Sequence, residues 1–242
     1  MRARLARRHA CAIPVRLTAG VLVQPLSLDN PQDFIRDHTE VLAPPLVPEI
    51  KLHLATETVD IWEQTEEALG EMGLPPPFWA FAWAGGQALA RYCLDNPDIV
   101  KGKRVLDFAA GGAVSGIAAK LAGAETVIAS ELDPFAIEAC RANAALNGVE
   151  LAMELGDVVG RFDDWDVIIA GDVFYEDEPA RHIGGWLEEH ARRGTTVLIG
   201  DPGRSFLPSG RLNKLAEYTV PVTRDLEDRE IRQAKVWSFK AT

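Results

Sequence analysis

A chain of 242 residues, 47% of them hydrophobic, can bury one large core, or one core plus a small extra layer. No apolar run approaches the roughly 18 residues of a membrane span, and a formal net charge of −11 would repel nucleic-acid phosphates while suiting a basic protein surface. Cys11, Cys93 and Cys140, like the histidines His9, His38, His53, His182 and His190, lack disulfide or metal-ligand spacing, so no metal is expected.

The chain opens on a basic stretch: Arg2, Arg4, Arg7, Arg8 and Arg16 precede the first acid, and residues beyond them are more acidic than the whole. Residues 1–29 read as a disordered extension, although an Arg-rich, acid-poor head also fits a mitochondrial targeting segment. Residues 30–77 read as a cap or edge layer. Within it Asn30–Leu42 is expected as a helix with Phe34, Ile35, Val41 and Leu42 on its apolar side, ended by Ala43-Pro44-Pro45. Pro48–Ala55 alternates as a short strand, with Ile50, Leu52 and Leu54 on one face. Thr58–Met72 reads as a second helix, closed by Gly73 and the Pro75-Pro76-Pro77 break.

From Phe78 the pattern alternates to the end, giving a core over residues 78–242. A helix is expected at Gln87–Leu94, strands at 104–108, 126–130, 150–155, 166–171 and 195–200, and helices at 113–122, 134–147 and 177–193. Two β-prone runs follow, Tyr218–Val222 and Ile231–Phe239, without a long helix between them. This order predicts an α/β fold, a doubly wound and mostly parallel seven-stranded sheet with an antiparallel last strand. Its ligand would lie past the strand C-termini, where the strand order reverses.

The stretch Val105–Gly116 falls at such an end. A strand runs into Asp107, then into Ala109, Ala110, Gly111 and Gly112, and then into a helix whose first N–H groups face the loop. Glu131, at the end of the next strand, can accept hydrogen bonds from two ribose hydroxyls, which points to an adenosine-bearing cofactor. The glycines stand at 111, 112 and 116, without the G-x-G-x-x-G spacing of NAD sites. A carboxylate ahead of the loop would repel a pyrophosphate but attract the ammonium of S-adenosylmethionine.

Together these residues resemble the class I, seven-strand, S-adenosylmethionine-dependent methyltransferases, whose sheet is Rossmann-like. Val105-Leu106-Asp107-Phe108-Ala109-Ala110-Gly111-Gly112 is similar to their first motif and Glu131-Leu132-Asp133-Pro134 to their second. Ala110 and Gly112 stand where Cys and Thr are frequent, a change that keeps the turn. A narrower likeness is carried by Pro77-Phe78-Trp79-Ala80-Phe81-Ala82-Trp83-Ala84-Gly85-Gly86-Gln87 and by Asp172-Val173-Phe174-Tyr175, an Asp-x-x-Tyr motif. These resemble the family-16 type of protein-lysine methyltransferase, in particular the branch that acts on the electron transfer flavoprotein β subunit. Val47–Leu54 and Gly200-Asp201-Pro202-Gly203-Arg204 are similar to that branch too.

The resemblance implies roles residue by residue. Asp107, Ala109 and Gly111 would line the cofactor, Glu131 would hold its ribose, and Asp157 its adenine amino group. Trp83 and Gly85 would pack against it or close its pocket. Asp172, which would also border the cofactor, is expected to orient the incoming amine, with Phe174, Tyr175 and Trp79 as walls that add cation–π attraction. Arg204 fits either a contact to a substrate acid or a salt-bridged turn. The implied protein is a monomer of a reducing compartment, bacterial cytoplasm or else the mitochondrial matrix. A small-molecule or different protein acceptor is the alternative, and a silent nucleotide-binding interaction module is the alternative of another class.

Overall fold

The computed structural model describes residues 31–55, 76–221 and 231–240. The expected basic extension over 1–29 and the helix Thr58–Met72 lie outside them.

The N-terminal layer begins with α1 (Pro31–His38), which buries Phe34 and Ile35. These two pack with Trp79, Ala80, Phe135, Ala136 and Ala139, Phe34 meeting the Phe135 ring edge-on at 5.5 Å. The helix ends four residues before the expected Leu42. His38 Nδ1 lies 2.9 Å from the Phe34 carbonyl and the Thr39 hydroxyl donates to Ile35, so side chains take the last-turn carbonyls and close the helix. Glu40–Leu42 then forms β1, antiparallel to β2 (Leu52–Leu54), with Val41 opposite His53. Val41 and Leu42 are thereby exposed rather than on a buried helix face. Ile50 and Leu52 are buried as the alternation predicts.

Side-chain amides fasten this layer to the core. Asn143 Oδ1 accepts from the His53 N–H at 2.7 Å, and Asn147 exchanges hydrogen bonds with both main-chain groups of Lys51. Gln87, also buried, accepts from the Leu46 N–H and donates to the Ala82 carbonyl.

The core starts with α2 (Ala84–Asp95), three residues earlier than expected. Two glycines in its first turn argue against a helix on propensity alone, but packing overrides that cost. A Cβ on Gly85 would sit 2.2 Å from the Gly200 carbonyl oxygen, so only glycine allows this approach of helix to sheet. After it come β3 (Arg104–Phe108), α3 (Val114–Leu121), β4 (Thr126–Glu131), α4 (Pro134–Leu146), β5 (Ala152–Leu155) and β6 (Val167–Gly171). The chain continues with α5 (Asp177–Arg192), β7 (Thr196–Asp201), β8 (Leu212–Pro221) and β9 (Ile231–Phe239).

The seven strands lie in the order β5-β4-β3-β6-β7-β9-β8, parallel from β5 to β7, with β9 antiparallel to both neighbours. The doubly wound sheet is thus as expected. Strand β8 begins six residues before the expected Tyr218, since it is a half-exposed edge strand with a bulge between Lys214 and Ala216 that breaks the alternation. The central strands are buried on both faces. Val105, Val167, Ile169 and Leu198 join the core under α2 and α3, while Leu106, Ile168, Val197 and Ile199 join the one under α5. Strand order reverses between β3 and β6, which places a crevice at their C-terminal ends.

Candidate active site

That crevice holds an open cavity lined by the loop after β3, by Gly171 at the end of β6 and Asp172 after it, and by Phe81, Trp83 and Gly86 around the start of α2. Leu52 of β2 completes the wall, so the N-terminal layer is part of the site.

The β3–α3 loop is held tightly from below. Ala109, Gly111 and Ala113 have φ of 51°, 55° and 61°, left-handed conformations that two alanines adopt at some cost. Asp107 Oδ2 accepts from the Gly116 N–H at 2.8 Å, and a Cβ on Gly116 would stand 2.7 Å from that same oxygen. Glu131 Oε1 accepts from the Gly111 N–H at 2.7 Å, and its other oxygen from Leu132. Asn143 donates to the Gly112 carbonyl at 2.9 Å, so one side chain ties the loop to β2. Cys140 donates to the Gly111 carbonyl, and burial pushes its thiol well up, keeping it a protonated donor rather than a nucleophile.

Electrostatically the cavity is acidic, and none of the lining residues is basic. Burial drives the Asp107 carboxyl well above the usual range, against the Gly116 hydrogen bond, and the nearby Glu131 adds to the rise. Burial likewise raises Glu131, with the N–H groups of Gly111 and Leu132 pulling the other way. Both acids are therefore poised for a cationic ligand that restores their charge.

At the far side stands Asp172, itself left-handed with φ 58° and 8% exposed. Its N–H donates to the Gly200 carbonyl, and its Oδ2 accepts from the Gly86 N–H at 3.0 Å. Its Oδ1 accepts from Arg204 Nη2 at 2.8 Å, and the Arg204 guanidinium also lies over the Trp83 ring, 5.6 Å from its centroid. Behind them Asp201 is fully buried. Its Oδ1 accepts from the N–H groups of Gly203 and Arg204, while Oδ2 has no hydrogen bond among the described residues. Burial and the nearby Asp172 carboxylate push it up to about 6.

The structure brings together Trp83, Asp107, Ala109, Gly111 and Asp172 around one cavity, with Glu131 bonded to its loop. Gly85 is buried beneath the wall rather than on it, and Gly86 is the lining residue. Asp157 is exposed at the end of β5 and accepts from the Val159 N–H at 2.8 Å, which makes it a turn residue off the cavity lining. Phe174 is not a wall: the left-handed backbone at Asp172 turns the chain so that Phe174 is wholly buried in the core under α5. Trp79, 2% exposed, belongs to the cluster between α1 and α4 and is not a wall either. Tyr175 stands at the rim, half-exposed, in an aromatic group with Phe78 at 6.0 Å, and Phe78 and Phe81 flank Trp83 at 6.0 and 6.1 Å. Phe78 and the Gly86 N–H, which sequence reasoning had not assigned, lay in the recognised aromatic segment. Among the described residues no His, Cys, Asp and Glu cluster could hold a metal, and no helix is long and apolar enough to cross a membrane.

A doubly wound sheet with an antiparallel C-terminal hairpin, carrying an acidic, small-residue cavity at the point of strand reversal, defines a class I S-adenosylmethionine-dependent methyltransferase. The residues fit that cofactor: buried acids that favour a cation, and a glycine- and alanine-lined approach for adenosine. The model of the ribosomal protein L11 methyltransferase (PrmA) family matches residues 86–172. A Pyrococcus horikoshii protein described as a candidate RNA methyltransferase shares the fold at a TM-score of 0.51 and 19% identity, over 75% of this chain and all of that one. The Xenopus laevis electron transfer flavoprotein beta subunit lysine methyltransferase is 41% identical over 246 residues, covering 98% of this chain and 99% of its own. Its Homo sapiens counterpart is 36% identical, over 86% of this chain and 81% of its own. The chain belongs to the electron transfer flavoprotein beta subunit lysine methyltransferase family. It is an enzyme, a methyltransferase, and its cofactor is S-adenosylmethionine. Both relatives are animal proteins and lend no support to the expectation of a bacterial chain.

Proposed function

We propose that the enzyme methylates lysine side chains of the electron transfer flavoprotein β subunit. The observation that carries this reading is similarity over essentially the whole chain to relatives of that name, the terminal hairpin and N-terminal layer included. The rim agrees with it: exposed Tyr175 and Phe78 beside a buried carboxylate offer an aromatic and anionic mouth to a cationic side chain.

S-adenosylmethionine, when bound, supplies an electrophilic methyl group on a sulfonium sulfur. Asp107 would take the methionine ammonium and Glu131 the ribose hydroxyls, each with oxygen lone pairs beyond those its main-chain bonds use. Asp172 would orient the acceptor amine at the end of β6, while Trp83 and the aromatic rim keep water from the reacting atoms. The enzyme thus works by alignment, with no covalent intermediate. The acidic surface supports a protein acceptor over a nucleic acid.

The match to the ribosomal protein L11 methyltransferase model favours a second reading, a ribosomal protein acceptor. It spans residues 86–172, the cofactor half, and leaves out the loop that carries Arg204. Incubation of the enzyme with labelled cofactor and each candidate acceptor, followed by mass spectrometry of labelled peptides, tests both. Labelled lysines in the flavoprotein subunit are the expected result. Label confined to the ribosomal protein overturns the first reading in favour of the second.

A further inference from the structure

An amine attacks through its lone pair, yet a lysine of ordinary pKa, about 10.4, is almost wholly an ammonium near neutrality. An uncompensated carboxylate beside it would hold the proton on more firmly. In a lysine methyltransferase Asp172 would be such a carboxylate, standing where the acceptor enters.

The structure does not leave that carboxylate uncompensated. Arg204 Nη2 and Nε approach Asp172 Oδ1 at 2.8 and 3.2 Å, and the two side chains are only 21% and 8% exposed, so the pair is little screened by solvent. The turn that carries Arg204 is set by Asp201, whose Oδ1 accepts from the N–H groups of Gly203 and Arg204 at 2.6 and 2.7 Å. Oδ2 of Asp172 stays on the Gly86 N–H, so the arginine reaches one oxygen and the start of α2 the other.

We propose that Arg204 is a positioning residue that offsets the charge of Asp172, so that this carboxylate orients the acceptor lysine without trapping it as an ammonium. This rests on the lysine-methylating reading above. The lysine ammonium passes its proton to water, and the freed nitrogen lone pair forms a bond to the donor methyl carbon. The carbon–sulfur bond breaks with its electrons staying on sulfur, leaving a thioether and a methylated ammonium. Arg204 acts before the bond is made, on the first of these events.

The neighbouring titratable groups are mostly acids. Asp201 ends β7, Tyr175 and Glu176 come after β6, and Asp107 and Glu131 come from β3 and β4. The first turn of α2 brings main-chain N–H groups and no charged side chain. Without Arg204 the charge of Asp172 would add to that of the nearby Asp201.

The test is the pH profile of kcat/KM for methyl transfer to the flavoprotein subunit by wild type, Arg204→Gln, Arg204→Lys and Asp201→Asn. Arg204→Gln should move the acid limb up by about one pH unit or more, a tenfold or greater loss on the rising limb. Arg204→Lys should hold the limb near wild type, and Asp201→Asn should move it down. Calorimetry of acceptor docking onto enzyme loaded with S-adenosylhomocysteine gives a second readout free of turnover. In buffers of different ionisation heat, wild type should release more protons than Arg204→Gln, and this count decides if that variant is too slow for a rate profile. An unmoved limb or an equal proton count in Arg204→Gln overturns the proposal, as does an Arg204→Lys limb displaced as far as that of Arg204→Gln. Failure of the wild type to label the flavoprotein subunit would instead overturn the acceptor assignment and is read separately.

Discussion

Asp107 and Glu131 are buried carboxyls held above the usual range, and their titration sets the pH dependence of the cofactor site. With no cation nearby burial favours the neutral acid, whereas a bound ammonium favours the carboxylate. Affinity for S-adenosylhomocysteine should therefore strengthen as pH rises through the raised values and weaken as it falls. Proton release on binding, read by calorimetry in two buffers, checks the sign, and proton uptake would contradict it. Replacing Glu131 by Gln should weaken binding about tenfold or more, because the loss of charge loosens a ligand contact and the Gly111 tether together. At Asp172 the expected pattern is the reverse. Asp172→Asn should cut methyl transfer by about 100-fold through misplacement of the amine, with S-adenosylhomocysteine affinity little changed. Much at this scale was legible from position alone: Asp107, Glu131 and Asp172 each stand at the C-terminal end of a strand or one residue from it. The direction of Phe174 was not, because one left-handed residue reverses which way the following side chains point. The Asp172–Arg204 pair was illegible for another reason, since no periodicity reports a contact between two loops that neighbouring strands bring together.

Between elements, α2 approaches β7 closely through Gly85 and Gly200. A Cβ on Gly85 would fall 2.2 Å from a carbonyl oxygen and 2.5 Å from Asp172 Oδ2, so Gly85→Ala must push the helix start off the sheet. A loss of about 1–3 kcal/mol is expected from overpacking, with a drop in methyl transfer as the Gly86 N–H leaves Asp172. Chemical denaturation and a rate assay on the same protein would check it. Asn143→Ala should cost about 1–3 kcal/mol by stranding the half-buried His53 N–H and the buried Gly112 carbonyl, and should weaken cofactor binding through the released loop. The central parallel strands β3, β6 and β7 were readable as elements because they are buried on both faces and so appear as continuous apolar runs. The short helix α1 and the edge strand β8 were misjudged at their ends, where His38, Thr39 and a bulge decide matters that apolar spacing does not record.

For the molecule as a whole, Asp201 links folding to pH. Its carboxyl rises from 3.8 to about 6 in the folded state, so the fold prefers it protonated. Stability is unaffected by this group below pH 4, declines by about 3 kcal/mol between pH 4 and 6, and stays lower above. Asp201→Asn keeps an oxygen for the Gly203 and Arg204 N–H groups and removes the charge, so the difference in unfolding free energy between variant and wild type should widen across that interval. A constant difference would show that Asp201 is ionised at no cost.

The position of β9 has a consequence for how the protein is made. It follows β8 in the chain yet lies inside it, between β8 and β7. While the chain is being synthesised, the strand that carries Gly200 and leads into Arg204 therefore has an unpaired edge until residues 231–239 have left the ribosome. The acceptor side of the active site is therefore the part of the sheet that is braced last.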